Sequence, residues 1–313
     1  MVRSHRPLRL RRSSRPRWSL GAVAALVRTL GALLAAMLVA VTFAAPTAAS
    51  TSGTGTPAQA EPLPRPLRVA TYNIHHGVGL DGLLDLERVA QEIEDTGAEV
   101  VGLQEVDRHW GERSAFVDQA AWLAGRLGMD VVYGANLDRD PLTPDAPRRQ
   151  YGTAILSSHR IRSSTNTLLP RPEGGEQRGL LEAVIKVRGM PVRVFNTHLQ
   201  HNSQIERLAQ VAQVRAIVAA APESVVLVGD LNATPDSEEV SAITDDLVDA
   251  WVTAGVGDGY TYDVATPHAR IDYVLTSDNL VARTAAVLTT EASDHLPVVV
   301  DLALPGGRPI GRE

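Results

Sequence analysis

The sequence predicts an α/β fold in which two packed β-sheets lie between layers of helices. Short runs rich in Val, Leu and Ile, bounded by polar or helix-forming segments, are typical of buried strands. Segments with helical spacing flank the first and last parts of the chain, while strands crowd its middle. Because about 240 residues follow Pro66, a single domain is long enough to hold a two-sheet core.

The predicted elements begin with the strand run RVATYN. A helix is predicted up to Thr96 because apolar residues recur at helical spacing after Asp85, whose side chain suits an N-cap. The strand AEVVGLQEV follows, and further helices are predicted over residues 115–127 and 204–221, leading to the strands DVVYG and SVVLVGD. Between these helices, YGTAILSS, GLLEAVIKV and MPVRVFNTH predict three strands, the last two joined as a hairpin at Arg188–Gly189.

The N-terminal residues have the layout of an export signal. The first seventeen residues contain seven arginines and no acid, residues 20–45 are apolar except for Arg28, and small residues follow. We therefore expect residues 1–49 to be a signal peptide cut after Ala48 or Ala49, with the domain secreted. The alternative is a membrane anchor over residues 20–45 with the domain outside. Arg11 and Arg12 leave twin-arginine export open.

The domain boundaries follow from composition. Residues 50–66 are rich in Ser, Thr, Gly, Pro and Ala, which predicts a flexible linker. We assign residues 67–304 to one domain and residues 305–313 to a C-terminal tail. The chain has no cysteine, which excludes disulfides, a thiol nucleophile and cysteine-ligated zinc.

The charge of the predicted mature chain is acidic. Eight arginines and no acid precede Ala49, so 22 basic and 36 acidic residues remain, a net charge of −14. A protein that binds nucleic acid through its phosphates should be basic or carry a basic stripe. The charge therefore favours a small or lipid-borne ligand over a long polyanion, although cations can screen an acidic protein that binds nucleic acid.

Polar residues follow the predicted strands at equivalent places. A single Asp or Asn at a strand end is more often a turn residue than a ligand. The functional prediction therefore rests on the whole ordered set. Carboxylates and amides are ligands that Mg²⁺ or Mn²⁺ prefers, and histidines beside carboxylates suit proton transfer or phosphate stabilisation. The set predicts metal-assisted phosphoester hydrolysis, and its members are Asn73, Glu105, His198, Asp230, Asn232, Asp272, Asp294 and His295.

The motifs YNI, LQEVD, YGTAILS, NTHL, GDLN, RIDYVL and SDH, in this order, resemble the endonuclease/exonuclease/phosphatase superfamily. This superfamily includes deoxyribonucleases, apurinic endonucleases, bacterial sphingomyelinases and inositol polyphosphate 5-phosphatases. The resemblance extends from about Leu67 to about Leu304. It implies a four-layer α/β/β/α sandwich of two mixed β-sheets flanked by helices.

The resemblance also implies roles for the matching residues. Glu105, Asn73 and Asp294 would bind the metal, with Asn73 contacting metal or phosphate. Asp230 would orient or deprotonate the attacking water, and Asn232 would hold that water or a phosphate oxygen. Direct displacement without a covalent intermediate follows. In this scheme His295, held by Asp272, would stabilise the pentavalent phosphorus, and His198 would carry a proton to the leaving oxygen.

Four positions around this set leave alternatives open. Arg178 resembles an arginine of the family that contacts phosphate, and a solvated arginine is the equal alternative. Tyr151 would face the phosphate, whereas Thr153 stands where many relatives have Asn. His75 stands where apurinic endonucleases have an acidic residue, which makes a metal role doubtful and leaves substrate contact open.

Other mechanisms lack their motifs. The chain has no G-x-S-x-G, H-E-x-x-H or Walker A sequence, and the Gly-Asn-His motif of calcineurin-type phosphatases is missing. We therefore expect a Mg²⁺- or Mn²⁺-dependent monomer without an evident protein partner. A phosphodiesterase, acting on a small-molecule, lipid or nucleic-acid phosphoester, is the leading hypothesis. A secreted nuclease acting on DNA or RNA and an inactive binding module of the same fold are the alternatives.

Overall fold

The computed structural model describes residues 65–306, which contain twelve β-strands and five α-helices. The strands are β1 (Arg65–Asn73), β2 (Val100–Arg108), β3 (Asp130–Arg139), β4 (Arg149–Ser157), β5 (Ile161–Leu168), β6 (Gly179–Val187), β7 (Met190–His198), β8 (Ser224–Asp230), β9 (Val248–Asp249), β10 (Asp272–Thr276), β11 (Val281–Val287) and β12 (Val298–Leu304). The helices are α1 (Leu86–Thr96), α2 (Gln119–Leu127), α3 (Gln204–Ala219), α4 (Glu238–Thr244) and α5 (Ala250–Ala254). None of the helices in this range has the length and apolar character that crossing a bilayer requires.

The predicted signal peptide over residues 1–49 lies outside the described residues, as do most of the predicted linker and the end of the predicted tail. The strand β1 begins at Arg65, so the last two residues of the segment predicted as linker belong to the sheet. The strand β12 ends at Leu304.

The strands form two six-stranded mixed sheets. The first has the order β11-β12-β1-β2-β4-β3, and the second has the order β5-β6-β7-β8-β10-β9. Each sheet has one parallel pair at its centre, β1 with β2 and β7 with β8, and its other pairs are antiparallel. Polar residues that end the paired parallel strands therefore meet at one edge of each sheet.

Three apolar cores hold the layers together. The central core lies between the sheets and includes Val100 of β2 and Val226 of β8. The helices α1 and α2 pack on the outer face of the first sheet, where Leu123 is buried, and α3 and α4 pack on the second sheet, where Val214 is buried. The predicted four-layer α/β/β/α sandwich is confirmed.

Side-chain caps begin the main helices. Asp85 accepts a hydrogen bond from the Arg88 amide at 3.0 Å at the start of α1, as the spacing predicted. The helix predicted over residues 115–127 begins later, at Gln119. Ala115 and Phe116 have positive φ angles that a helix does not accept, and Asp118 caps α2 through the Ala121 amide. The third helix, predicted to residue 221, ends at Ala219.

The hairpin predicted at Arg188–Gly189 joins β6 to β7, and both turn residues have positive φ, which a tight two-residue hairpin requires. The edge strands β5 and β11 were not predicted. Both pair on one side only and have mostly exposed side chains, so neither shows the hydrophobic pattern of a buried strand. The short elements β9, α4 and α5 were also missed.

Buried amides join the two sheets beneath the ends of the central strands. Asn196 donates to the carbonyls of Leu103 at 2.9 Å and Ala154 at 2.8 Å, and Gln104 donates to the Asn196 side-chain oxygen at 2.7 Å. At Gly102 the sheets approach so closely that a Cβ atom would lie 2.3 Å from Val228. The relative position of the two strand edges is thus set by specific contacts, because the buried side-chain amides of Asn196 and Gln104 bond across the two sheets.

Candidate active site

The ends of the parallel strands place carboxylate and amide groups from both sheets side by side. His198 at the end of β7 is in register with Asp230 at the end of β8, and Asn73 ends β1 next to β2. The Asn73 amide nitrogen donates to Glu105 Oε1 at 3.2 Å and to Asp230 Oδ2 at 3.1 Å. Asn73 is fully buried, so this side chain links the first sheet to the second at the centre of the site.

Glu105 lies in a bulge of β2. The pairing of β2 with β4 shifts register between Leu103 and Val106, and Glu105 has a φ of 58°. Because a bulge re-aims a side chain, Glu105 leaves the alternation of the strand and reaches Asn73. The sequence predicted that Glu105 ends its strand, but β2 continues to Arg108 after the bulge.

Asp230 is close to side chains from both sheets. Its Oδ2 atom lies 3.1 Å from Asn73 Nδ2, 3.4 Å from His198 Nε2 and 3.7 Å from His295 Nε2. Burial and the nearby Asp272 carboxylate raise the pKa of Asp230 to about 7, against the opposing effect of His295. A carboxylate with this pKa can exchange a proton near neutral pH.

His295 and Asp272 form a buried pair. Their Nδ1 and Oδ2 atoms are 2.9 Å apart, and the ring of Tyr262 packs on the imidazole with centroids 4.9 Å apart. Burial opposes the charge on His295, but the carboxylates of Asp272 and Asp230 outweigh it and raise its pKa to about 10. His295 is therefore an imidazolium at neutral pH, with Nδ1 donating to Asp272.

His198 differs from His295 in charge. Its side chain is buried, and burial together with the nearby Arg178 guanidinium holds its pKa well below the usual range. The imidazole is therefore neutral in the free protein. A neutral ring offers one N–H and one lone pair, so His198 can donate a hydrogen bond through that N–H.

The remaining predicted residues surround this centre. The Asn232 amide N–H donates to Asp230 Oδ1 at 2.9 Å, and its side chain donates to the Leu199 carbonyl at 3.1 Å. Asn232 therefore supports Asp230 and its own turn. Arg178 is only 3% exposed, pairs with Glu176 at 3.1 Å, and keeps a buried Nε without a partner among the described residues.

Tyr151 lies near the Glu105 carboxylate and the guanidinium groups of Arg178 and Arg113. Burial and the Glu105 carboxylate raise its pKa, while the guanidinium groups of Arg178 and Arg113 lower it, so all three charges act on this phenol. The ring of Trp110 lies 5.9 Å from that of Tyr151, and Arg113 covers both rings at 5.5 Å. Sequence reasoning missed Trp110 and Arg113, because no motif distinguishes them.

Asp294 lies on the Glu105 side of the site. The preceding Ser293 donates to the Asn73 carbonyl at 2.7 Å, which ties this loop to β1. Asp294 Oδ1 is 3.9 Å from His75 Nδ1, and ligand atoms of His75, His76 and Glu105 lie within 4.8 Å of one another. The structure thus brings both histidines of the HH sequence to Glu105.

The chemistry of these donors fits a divalent cation. Glu105 and Asp294 have no Lys or Arg partner among residues 65–306, although each is partly buried. Carboxylate and amide oxygens are suitable ligands for a hard divalent cation, and such an ion would offset the unpaired charges. Burial and the nearby Arg113 lower the pKa of His76 to about 4, so this imidazole is neutral and keeps a lone pair.

Curated proteins with similar sequences include one from a yeast and one from a nematode. Protein cwh43 of Schizosaccharomyces pombe is 29% identical over 178 residues, which are 56% of this chain and 17% of that protein. The 5′-tyrosyl-DNA phosphodiesterase of Caenorhabditis briggsae is 34% identical over 113 residues, which are 34% of this chain and 32% of that protein. The chain therefore spans less than a third of the length of either relative.

A solved structure shares both fold and sequence with this chain. The crystal structure of an endonuclease/exonuclease/phosphatase from Beutenbergia cavernae has a TM-score of 0.67 and 30% identity, covering 79% of this chain and 73% of that one. The sequence profile of the Endonuclease/Exonuclease/phosphatase family matches residues 70–295. This range includes every site residue from Asn73 to His295, and the chain belongs to that family, as its strand-end motifs predicted.

Proposed function

We propose that the protein is a secreted, divalent-metal-dependent phosphodiesterase that hydrolyses its substrate by direct attack of water. One observation supports this proposal most strongly. The Oδ2 atom of Asp230 lies within 3.7 Å of side-chain nitrogens of Asn73, His198 and His295. The N-terminal sequence supports export.

Asp230 would orient the attacking water and accept its proton. Its pKa of about 7 matches that task, since a general base works best when its pKa is close to the working pH. The Asn232 amide N–H on Oδ1 and the Asn73 amide on Oδ2 hold the carboxylate in one orientation.

His295 and Arg178 would stabilise the negative charge that develops on the phosphoryl oxygens. The Asp272 hydrogen bond at 2.9 Å holds the His295 ring in place and keeps it charged. Arg178 brings a second fixed positive charge, with an unpaired Nε. Positive groups that are already in position where charge develops lower the barrier without further reorganisation.

His198 would assist the leaving oxygen as a neutral hydrogen-bond donor. Its burial and its register with Asp230 keep the ring within 3.4 Å of that carboxylate. Glu105, Asn73 and Asp294 would hold the cation. When bound, a divalent ion supplies Lewis-acid stabilisation of phosphoryl oxygen charge.

The acidic chain favours a small or lipid-borne phosphoester. A net charge of −14 after export opposes a long polyanion. A nuclease is the second candidate, supported by the pair of Trp110 and Tyr151 with Arg113 and Arg139 against their faces, the latter 4.4 Å from the Trp110 ring. Aromatic rings beside arginines can stack on bases.

A substrate panel tests this proposal. The purified protein is assayed with single- and double-stranded DNA, RNA, phospholipids, sphingomyelin, bis(p-nitrophenyl) phosphate and inositol phosphates, with Mg²⁺, with Mn²⁺ and without metal. We expect metal-dependent cleavage of small or lipid diesters to exceed cleavage of nucleic acid. If nucleic acid is the better substrate, the nuclease is favoured. If no phosphoester is hydrolysed, the hypothesis of an inactive binding module is favoured.

The charge on His295 predicts a pH dependence. Because its pKa in the folded protein is raised from 6.5 to about 10, His295 keeps its positive charge at neutral pH and loses it only as the pH rises through about 10. Asp272→Asn removes the carboxylate that contributes most to raising this pKa. We expect the alkaline loss of kcat to move to lower pH, which a pH–rate profile measures. If the two profiles coincide, Asp272 has a structural role only.

A further inference from the structure

The tight turn after β1 places two histidines beside the Glu105 carboxylate. Residues 75–77 form a single turn of 3₁₀-helix, and the rings of His75 and His76 lie at 72° with centroids 4.6 Å apart. Ligand atoms of both rings and of Glu105 lie within 4.8 Å of one another. The reaction described above uses Glu105 but neither imidazole.

Hydrogen bonds show which imidazole nitrogens are free. His75 Nδ1 lies 3.2 Å from the Val78 carbonyl, which can only accept, so Nδ1 donates and Nε2 is the ring nitrogen left for a ligand. His76 Nδ1 is buried and has no partner among the described residues. Both rings therefore offer a nitrogen that the protein does not use for hydrogen bonding.

The backbone of the turn has positive φ angles at both histidines. His75 and His76 both have φ values of 43°, a region that is uncommon for residues other than glycine. Asn73 Oδ1 accepts from the His75 amide at 3.1 Å, and Gln119 donates to the His76 carbonyl at 2.7 Å. Since Asn73 also donates to Glu105, one side chain connects the turn to the carboxylate.

We propose that His75 and His76 join Glu105 in a mixed nitrogen and oxygen site that selects a first-row transition-metal ion such as Mn²⁺ over Mg²⁺. The proposal rests on the metal-dependent function above and specifies its ion. Asp294 Oδ1 lies 3.9 Å from His75 Nδ1, so a second carboxylate is close to the turn.

Ligand chemistry explains the selectivity. Mg²⁺ strongly prefers oxygen ligands and keeps much of its water, whereas imidazole nitrogen binds first-row transition metals. A site of oxygen ligands alone would bind Mg²⁺ and Mn²⁺ with a smaller difference. Two imidazoles beside Glu105 shift the preference towards the softer ion.

Electron spin-echo envelope modulation of Mn²⁺ bound to the protein tests this directly, because it detects nitrogen coordinated to the ion independently of activity. We expect ¹⁴N modulation from the wild-type protein. In protein made with ¹⁵N-imidazole histidine, the ¹⁵N pattern should replace it. Isothermal titration with Mn²⁺ and with Mg²⁺ gives the selectivity.

The variants His75→Asn and His76→Asn remove each imidazole but retain a residue that tolerates positive φ. We expect each to weaken the histidine modulation and to raise the Mn²⁺ dissociation constant about tenfold or more, with a smaller change for Mg²⁺. His159→Gln is the matched control, because His159 pairs with Glu99, at the opposite end of β2 from Glu105. Circular dichroism checks that each variant is folded.

The results separate this inference from the proposed function. The mixed site is wrong if bound Mn²⁺ supports hydrolysis but shows no modulation from histidine nitrogen. It is also wrong if this modulation is unchanged in both variants. In either case the proposed function stands. If no metal supports hydrolysis of any phosphoester, the proposed function fails, whatever the coupling shows.

Discussion

Replacing Asp230 by Asn is expected to lower kcat by a factor on the order of 10² to 10⁴, the usual contribution of a positioned general base. Asn has nearly the same shape and can still accept from Asn73, but it cannot take a proton from water. Because burial and Asp272 already disfavour the charged form of Asp230, its loss should not lower stability. Steady-state kinetics and a thermal melt measure the two effects.

Val226→Ala provides the opposite control. Val226 is fully buried in the core between the sheets, so the loss of two methyl groups should lower the free energy of unfolding by about 1–2 kcal/mol. The folded fraction should retain its kcat. His198→Ala and His295→Ala should behave like Asp230→Asn, since they contact the same carboxylate. Near wild-type rates in all three site variants would contradict the assignment.

Removal of divalent cations with EDTA is expected to abolish hydrolysis, and Mg²⁺ or Mn²⁺ should restore it. Glu105 and Asp294 offer carboxylates without Lys or Arg partners among the described residues, so a cation provides the missing positive charge. Glu105→Gln should lower kcat/KM by about 10²-fold or more and weaken metal binding in a titration.

Glu99→Gln is the control for Glu105→Gln. Glu99 precedes β2 at its other end and pairs with His159, so its charge is remote from the site. This variant should keep both metal affinity and rate. Full turnover in rigorously metal-free buffer would overturn the metal-dependent mechanism, whereas a Glu105→Gln variant with unchanged metal affinity would move the metal site away from Glu105.

The helices and central strands could be predicted because their signals are local. The apolar spacing behind Asp85 gives α1 with its cap, and the hydrophobic runs of β7 and β8 end at His198 and Asp230, as the sequence indicates. Neither prediction needs a residue distant in the chain. The edge strand β5 was not predicted, because an exposed edge has little apolar pattern. The late start of α2 was not predicted either, because it depends on which of several residues becomes the cap.

Contacts between distant residues could not be predicted in this way. Asn73 and Asp230 are 157 positions apart, yet their side chains are in contact at 3.1 Å. The bulge that redirects Glu105 and the turn that brings His75 to it depend on pairing with β4 and on Gln119. Trp110 and Arg113 belong to no motif that a single sequence reveals.

The sequence by itself determined the strand-end residues, their order and the family, because short periodic runs and their terminal residues are written locally in the chain. Only the tertiary structure decided their chemical states. His198 and His295 are both histidines near strand ends, but Arg178 and burial make one neutral, while Asp272 and Asp230 make the other a cation. Burial and the distance between charges set a pKa, and both arise only when the two sheets pack together.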